Sequence, residues 1–139
     1  MTPPRIDHIG IVVDELESSI ASFARMLPGA PLTRRSLPDA GLEVATFAAA
    51  NVVVELLQYT DDGDGLGRAV MGSAPGVNHL SLAVDDLDAA LDALRAQGVE
   101  PSPGFPRRGA HGRIAFLPRD AGTGLLFELC EPDPPGDAS

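Results

Sequence analysis

The chain has 139 residues, 44% of them hydrophobic, with a formal net charge of −10 and one cysteine, Cys130. That length suits one compact domain, or two small modules sharing a core. It contains no apolar run near the roughly 18 residues of a membrane span, and the acidic balance argues against a nucleic-acid surface. A lone cysteine excludes an internal disulfide, so a reducing cytoplasm is the expected compartment. The opening "MTPPRIDH" carries no charged and apolar leader of the signal-peptide kind.

In chain order, "RIDHIGIVV" (5–13) is a short run with β-branched residues, as in a buried strand. Asp14 follows as the expected helix N-cap, with Glu17 in the capping-box position. Leu16, Ile20, Phe23 and Leu27 recur at helical spacing, and Pro28-Gly29 stops the helix. "GLEVATFAA" (41–49) and "NVVVELLQ" (51–58) read as two strands joined by a tight turn near Asn51. Residues 61–76, "DDGDGLGRAVMGSAPG", form a connector with one turn of helix expected at 66–71. Its Asp and Gly content is that of a calcium loop, but the closing acid such a loop needs is missing.

The second half repeats the order. "VNHLSLAV" (77–84) is a strand, Asp85 the expected cap, and Leu87, Leu91 and Leu94 the buried stripe. Gly98 ends that helix. "GRIAFLP" (112–118) and "GLLFELC" (124–130) are the last strands. The expected organisation is therefore a first module at 1–60, the connector at 61–76, a second module at 77–132 and a disordered tail at 133–139.

"DHIGIVVDELESSI" (7–20) and "NHLSLAVDDLDAAL" (78–91) are nearly the same sentence, offset by 71 residues. Each half also carries one carboxylate inside an apolar strand, Glu55 in "VVVELL" and Glu128 in "LLFELC". A buried ionised carboxylate costs several kcal/mol unless it is paired. His8, Glu55, His79 and Glu128 recur in the same order in both halves, and one divalent cation would pair all four. Two modules related by a pseudo-twofold would bring these residues to one axis, with helices outside and sheets curled into a cup. Among the arginines, Arg34-Arg35 and Arg107-Arg108 with Arg113 form local clusters suited to a carboxylate or phosphate. Cys130 reads as a small buried hydrophobe.

From Ile6 to about Pro132 the chain resembles the vicinal oxygen chelate superfamily, whose glyoxalase fold pairs two βαβββ modules into a curved sheet cup around a metal site, an α+β architecture. Within it the resemblance is strongest to the methylmalonyl-CoA epimerase branch. The pieces that carry it are "IDHIGIVVDEL", "LPDAGLEVATF", "VVVELLQ", "NHLSLAVDDLDAAL", "GAHGRIAFLP" and "GLLFELCE". The resemblance implies metal ligands at His8, Glu55, His79 and Glu128. It implies one divalent ion per chain, Co²⁺ by analogy, with Mn²⁺, Ni²⁺, Zn²⁺ or Fe²⁺ also suited.

It further implies an acyl-CoA substrate, a homodimer, and epimerisation through an enolate. Proton-transferring carboxylates are then expected at Glu128 and at Glu43, the one acid on the strand after the Pro38–Gly41 turn. Arg107, Arg108, His111 and Arg113 are the expected substrate-binding residues, with Arg34 and Arg35 as a second group. The chain departs from the branch at Asn78 (commonly His), at Pro118-Arg119-Asp120 (commonly His-Pro-Lys), and at Arg35-Ser36 (commonly an acidic pair).

Three other readings use the same fold. A glyoxalase-I-like lyase or isomerase shares the ligand set. An extradiol dioxygenase would leave Glu55 surplus. A metal-free binding protein of the antibiotic-sequestering kind would have no use for four retained ligands. Neither nucleic acid nor a membrane is expected as a partner.

Overall fold

The computed structural model describes residues 2–60 and 65–134. Residues 61–64 of the connector and 135–139 of the tail lie outside the described part, and with them most of the expected disordered tail. The first module runs β1 (Arg5–Val12), α1 (Leu16–Met26), β2 (Leu32–Leu37), a 3₁₀ turn (Pro38–Ala40), β3 (Leu42–Ala48) and β4 (Val53–Tyr59). A short helix, α2 (Leu66–Met71), occupies the connector where one turn was expected. The second module runs β5 (Gly76–Ala83), α3 (Leu87–Arg95), β6 (Arg107–Arg108), β7 (Gly112–Phe116) and β8 (Leu126–Pro132).

All eight strands join one curled sheet in the order β2-β3-β4-β1-β5-β8-β7-β6. The order is the same read outward from the β1–β5 pair in either direction. Within each module the His-bearing strand lies parallel to the Glu-bearing one, β1 to β4 and β5 to β8, and the modules meet antiparallel at β1–β5. This is the cup the repeat implied. β2 carries no apolar alternation (Thr33, Arg34, Arg35 and Ser36), which is why hydrophobic patterning does not reveal it.

Helix starts correct the sequence reading by one residue. Glu15, not Asp14, caps α1 by accepting from the Ser18 amide at 2.6 Å. Asp86, not Asp85, caps α3 by accepting from the Ala89 amide at 3.0 Å. In each module a strand side chain serves the first helical amide as well: Gln58 Oε1 accepts from Leu16 N (2.6 Å) and Glu131 Oε1 from Leu87 N (3.0 Å). Each helix start is thus tied to the last strand of its own module, so two of its orphan amides are satisfied from different directions.

The helices lie outside the cup. Leu16 and Ile20 pack with Ala45, Phe47 and Leu56, while Leu87 and Leu91 pack with Ala115 and Leu129. Burying each such aliphatic or aromatic side chain stabilises the fold by about 1.5–3 kcal/mol. A third cluster, Leu42, Val44, Leu57, Met71, Phe116 and Leu126, lies on the concave side and ties α2 to the cup wall.

Candidate metal and substrate site

Cross-strand partners share a face of a sheet, so the ladder tells which side chains enter the cup. Gln58 meets α1, so its neighbour across the ladder, Glu43, faces the helices too. Glu43 accepts a hydrogen bond from Ser36 there. The concave face of β3 instead presents Leu42, Val44 and Thr46, and no acid. The expected base at Glu43 is therefore not in the cup; being one residue away from the inward position reverses its face. Glu55, paired with Thr46, does point inward.

The repeat residues converge. Ligand atoms of His8, His79 and Glu128 all lie within 4.8 Å of one another. His8 Nε2 is 3.3 Å from Glu128 Oε1 and 3.7 Å from Glu55 Oε2, so Glu55 flanks the same point. All four residues are buried, with at most 6% of their surface exposed. His79 Nε2, Glu55 Oε2 and Glu128 Oε1 are buried without any hydrogen-bond partner of acceptable geometry.

Two bulges aim the imidazoles. In the β1–β5 ladder the register slips at Asp7 on one strand and at Asn78 on the other, and these positions are again 71 apart. A bulge turns a side chain out of the strict alternation. Here it lets each residue bond the ring that follows it: Asp7 Oδ2 lies 2.9 Å from His8 Nδ1, and Asn78 Oδ1 lies 2.8 Å from His79 Nδ1. The Asn78 amide nitrogen donates to the Met71 carbonyl at 2.8 Å, so its oxygen faces His79 and must accept. That fixes the tautomer with Nε2 as a bare lone pair aimed into the cup. The departure at Asn78 is thus a support for the ligand beside it. Arg119 donates to the same Met71 carbonyl at 3.2 Å, which places that departure against α2.

Electrostatics match a cation site. Burial raises the Glu55 pKa. Burial opposes ionisation of Glu128 too, but the His8 imidazole 3.3 Å away, with His79 and Ser81 beside it, outweighs this and lowers the value. His8 is pushed up to about 10: burial works against this, and the Asp7 hydrogen bond with the nearby Glu128 and Glu55 carboxylates overcomes it. His79 is pushed down to about 4 by burial. Four buried groups at odds over protons, three with orphaned atoms, form a donor set of two imidazoles and two carboxylates that fits a divalent transition metal. His8, His79 and Glu128 form the cluster proper, and Glu55 flanks it, 3.7 Å from His8.

Two residues at the cluster carry no sequence motif. Gly10 pairs with His79 across the ladder, and a Cβ there would lie 2.1 Å from His79 Cε1. Its repeat counterpart Ser81 pairs with His8, is fully buried, and sits beside Glu128. Applying the 71-residue offset to the residues around the histidines would have marked both.

A cavity of about 400 Å³ opens above the cluster, with apolar walls from Leu42, Leu57, Leu66, Met71 and Phe116. Of the expected arginines, Arg107 pairs with Ile114 and faces this cavity. Arg108 borders it but is held in a two-pronged ion pair with Asp133. Arg113 turns outward to Asp88 of α3, at 3.2 and 3.3 Å. Arg34 likewise faces α1 and pairs with Glu17. Arg35 faces inward and donates to the Ala110 carbonyl, next to His111, which lines the cavity. Cys130 also lines it, with its thiol pushed up to about 12 by burial, and is inert.

A profile of the Glyoxalase/Bleomycin resistance protein/Dioxygenase superfamily matches residues 7–116. The chain belongs to this superfamily. An ethylmalonyl-CoA/methylmalonyl-CoA epimerase of Cereibacter sphaeroides is 33% identical over 129 residues, covering 90% of this chain and 96% of the relative. The protein YqjC of Bacillus subtilis, of uncharacterised function, is 32% identical over 129 residues, covering 92% of each. The crystal structure of methylmalonyl-CoA epimerase from Mycobacterium tuberculosis superposes with a TM-score of 0.80 at 31% identity, covering 94% of this chain and 89% of that one. Among the described residues, no helix is long and apolar enough to cross a membrane.

Proposed function

We propose that this superfamily member is a metal-dependent isomerase that epimerises a chelating acyl-CoA through its enolate, with methylmalonyl-CoA the first substrate to test. The observation that carries this is the convergence of buried, orphaned His79, Glu55 and Glu128 atoms with His8 on the floor of one cavity. The similarity to named epimerases supports it.

His8, His79, Glu55 and Glu128 would hold the ion. When bound, it supplies Lewis-acid stabilisation to the oxygen on which enolate charge develops. Glu128 is the floor carboxylate that takes or returns the α-proton, kept ionised by His8, His79 and Ser81 despite its burial. Leu42, Leu57, Met71 and Phe116 exclude water around the acyl group. Arg107 receives a phosphate or carboxylate at the rim, since it faces the cavity and no ion pair holds it among the described residues.

The test is α-proton exchange and epimerisation of methylmalonyl-CoA in deuterated water after loading with Co²⁺. Wild type should bind one ion, exchange and invert; His79→Ala should lose ion and activity together. Full metal occupancy in His79→Ala would refute the ligand assignment. The outward placement of Glu43 favours one other reading, an isomerase of this superfamily that moves its proton on a single face. Exchange without inversion by wild type would select it.

A further inference from the structure

The reacting carbon of a malonyl thioester makes four bonds. Two lead to the carboxylate and the thioester carbonyl, whose oxygens chelate, and one to the proton that leaves. The fourth carries the α-substituent, an apolar group that needs an apolar wall. Resting on the proposed epimerase reading, we infer that Met71 is the specificity-determining residue of this site. Its side chain ends the pocket for the α-substituent and restricts the substrate to malonyl thioesters with a short α-alkyl group.

Met71 is the last residue of α2, and its side chain lines the cavity while packing, 4% exposed, with Leu42, Leu57 and Phe116. Phe116 stands edge-on to the His79 ring with centroids 5.1 Å apart, so this apolar wall begins where the ligand cluster ends. Arg107 on β6 offers the anionic CoA arm a partner at the same cavity, which leaves the α2 wall to an uncharged group.

The backbone of that wall is held from several sides. A helix of 6 residues is too short to persist by itself. Asn78 Nδ2 donates to the Met71 carbonyl at 2.8 Å, and Arg119 donates to the same oxygen at 3.2 Å. The Tyr59 hydroxyl donates to the next carbonyl, that of Gly72, at 2.6 Å. Below, α2 rests on the 3₁₀ turn, whose Asp39 and Ala40 line the same cavity; a Cβ at Gly67 would lie 2.9 Å from the Ala40 carbonyl oxygen. Asn78 and Arg119 are both positions at which the chain departs from the epimerase branch, and both serve this one carbonyl. Asn78 also holds His79, so the ligand and the pocket wall share a support. With the backbone held in this way, cutting back the Met71 side chain leaves a hole and not a collapsed wall.

The test matches that hole to a longer substrate. Met71→Ala removes Cγ, Sδ and Cε, the length by which a butyl group exceeds a methyl. Exchange of the α-proton in deuterated water is followed for methyl-, ethyl- and butylmalonyl-CoA with the metal-loaded full chain. In wild type kcat/KM should fall as the substituent lengthens. Met71→Ala should keep its metal and raise the butyl-to-methyl ratio of kcat/KM about tenfold or more, since one methylene in a hydrophobic pocket is worth about 10–200-fold. Met71→Val, a smaller cut, should move the ratio the same way by a smaller factor, and carries the test where Met71→Ala does not fold. Val44→Ala loosens the same core cluster at a residue that does not line the cavity, and should leave the ratio within threefold of wild type. A wild-type preference for butyl over methyl overturns the assignment. So does a Met71→Ala ratio within threefold of wild type, or an equal shift in Val44→Ala. Wild type that exchanges none of the three thioesters refutes the epimerase reading and this inference together, whereas exchange with an unmoved ratio in the Met71 variants refutes this inference alone.

Discussion

Gly10→Ala adds one methyl group where β1 meets the His79 ring of β5. A Cβ there would lie 2.1 Å from His79 Cε1, 2.3 Å from Nε2 and 2.6 Å from Nδ1. Comfortable carbon contacts are about 3.5–4.0 Å, so the overlap is more than about 1 Å. Gly10 lies in ordinary strand backbone, so the substitution is a steric probe and not a conformational one. Relief has two routes. The β1–β5 pair, the seam between the modules, can part, or the His79 ring can swing out of the cup and break its bond to Asn78. Overpacking of this kind costs about 1–3 kcal/mol. At roughly 3–5 °C per kcal/mol for a domain of this size, the metal-free protein should melt about 3–15 °C lower. Either route displaces Nε2, so Co²⁺ affinity should fall as well, and the gap in Tm between metal-loaded and metal-free protein should shrink. Melts with and without chelator, with metal content by mass spectrometry, measure both. A variant with wild-type Co²⁺ affinity and a Tm within about 1 °C of wild type would refute the close packing of strand against ligand.

Four other outcomes follow from the same geometry. Asn78→Ala removes the acceptor for His79 Nδ1–H and the donor to Met71, and titration should show Co²⁺ affinity reduced about 10–100-fold, the usual loss for a ligand's supporting hydrogen bond. His8, at about 10 in the metal-free protein against 6.5 ordinarily, is protonated at pH 7 and must lose that proton to ligate. Metal uptake should therefore release protons, and affinity should rise by up to about tenfold per pH unit between pH 6 and 8; calorimetry in two buffers of different ionisation enthalpy that detects no release would contradict this. Arg107→Ala should raise KM for an acyl-CoA and flatten its salt dependence, whereas Arg113→Ala, whose charge faces Asp88, should do neither in steady-state assays at two ionic strengths. Glu43→Gln should keep turnover within a few-fold of wild type in the epimerisation assay, because its side chain lies on the helix face.

Much of this molecule is legible along the chain because it is said twice. The 71-residue offset between His8 and His79, and between Leu16 and Leu87, marks two equivalent modules, and a carboxylate in an apolar strand of each marks the buried cluster. Those signals depend on period and on the energy of burying charge, both of which are local. The face of a residue near a strand end is not local. Glu43 and Val44 are equally plausible inward residues until pairing with Ser36 and Gln58 decides between them. Arg113 and Arg107 look alike in sequence, and only the β6–β7 register sends one to α3 and the other to the cavity. Bulges at Asp7 and Asn78 arise from the meeting of two strands, so neither strand reveals its own. Likewise Arg35 and Ala110, 75 residues apart, meet only because the sheet curls. Composition and periodicity determined the modules, the stripes and the paired His and Glu residues; register and curvature, which belong to pairs of strands, decided which polar groups face the cavity and which face water.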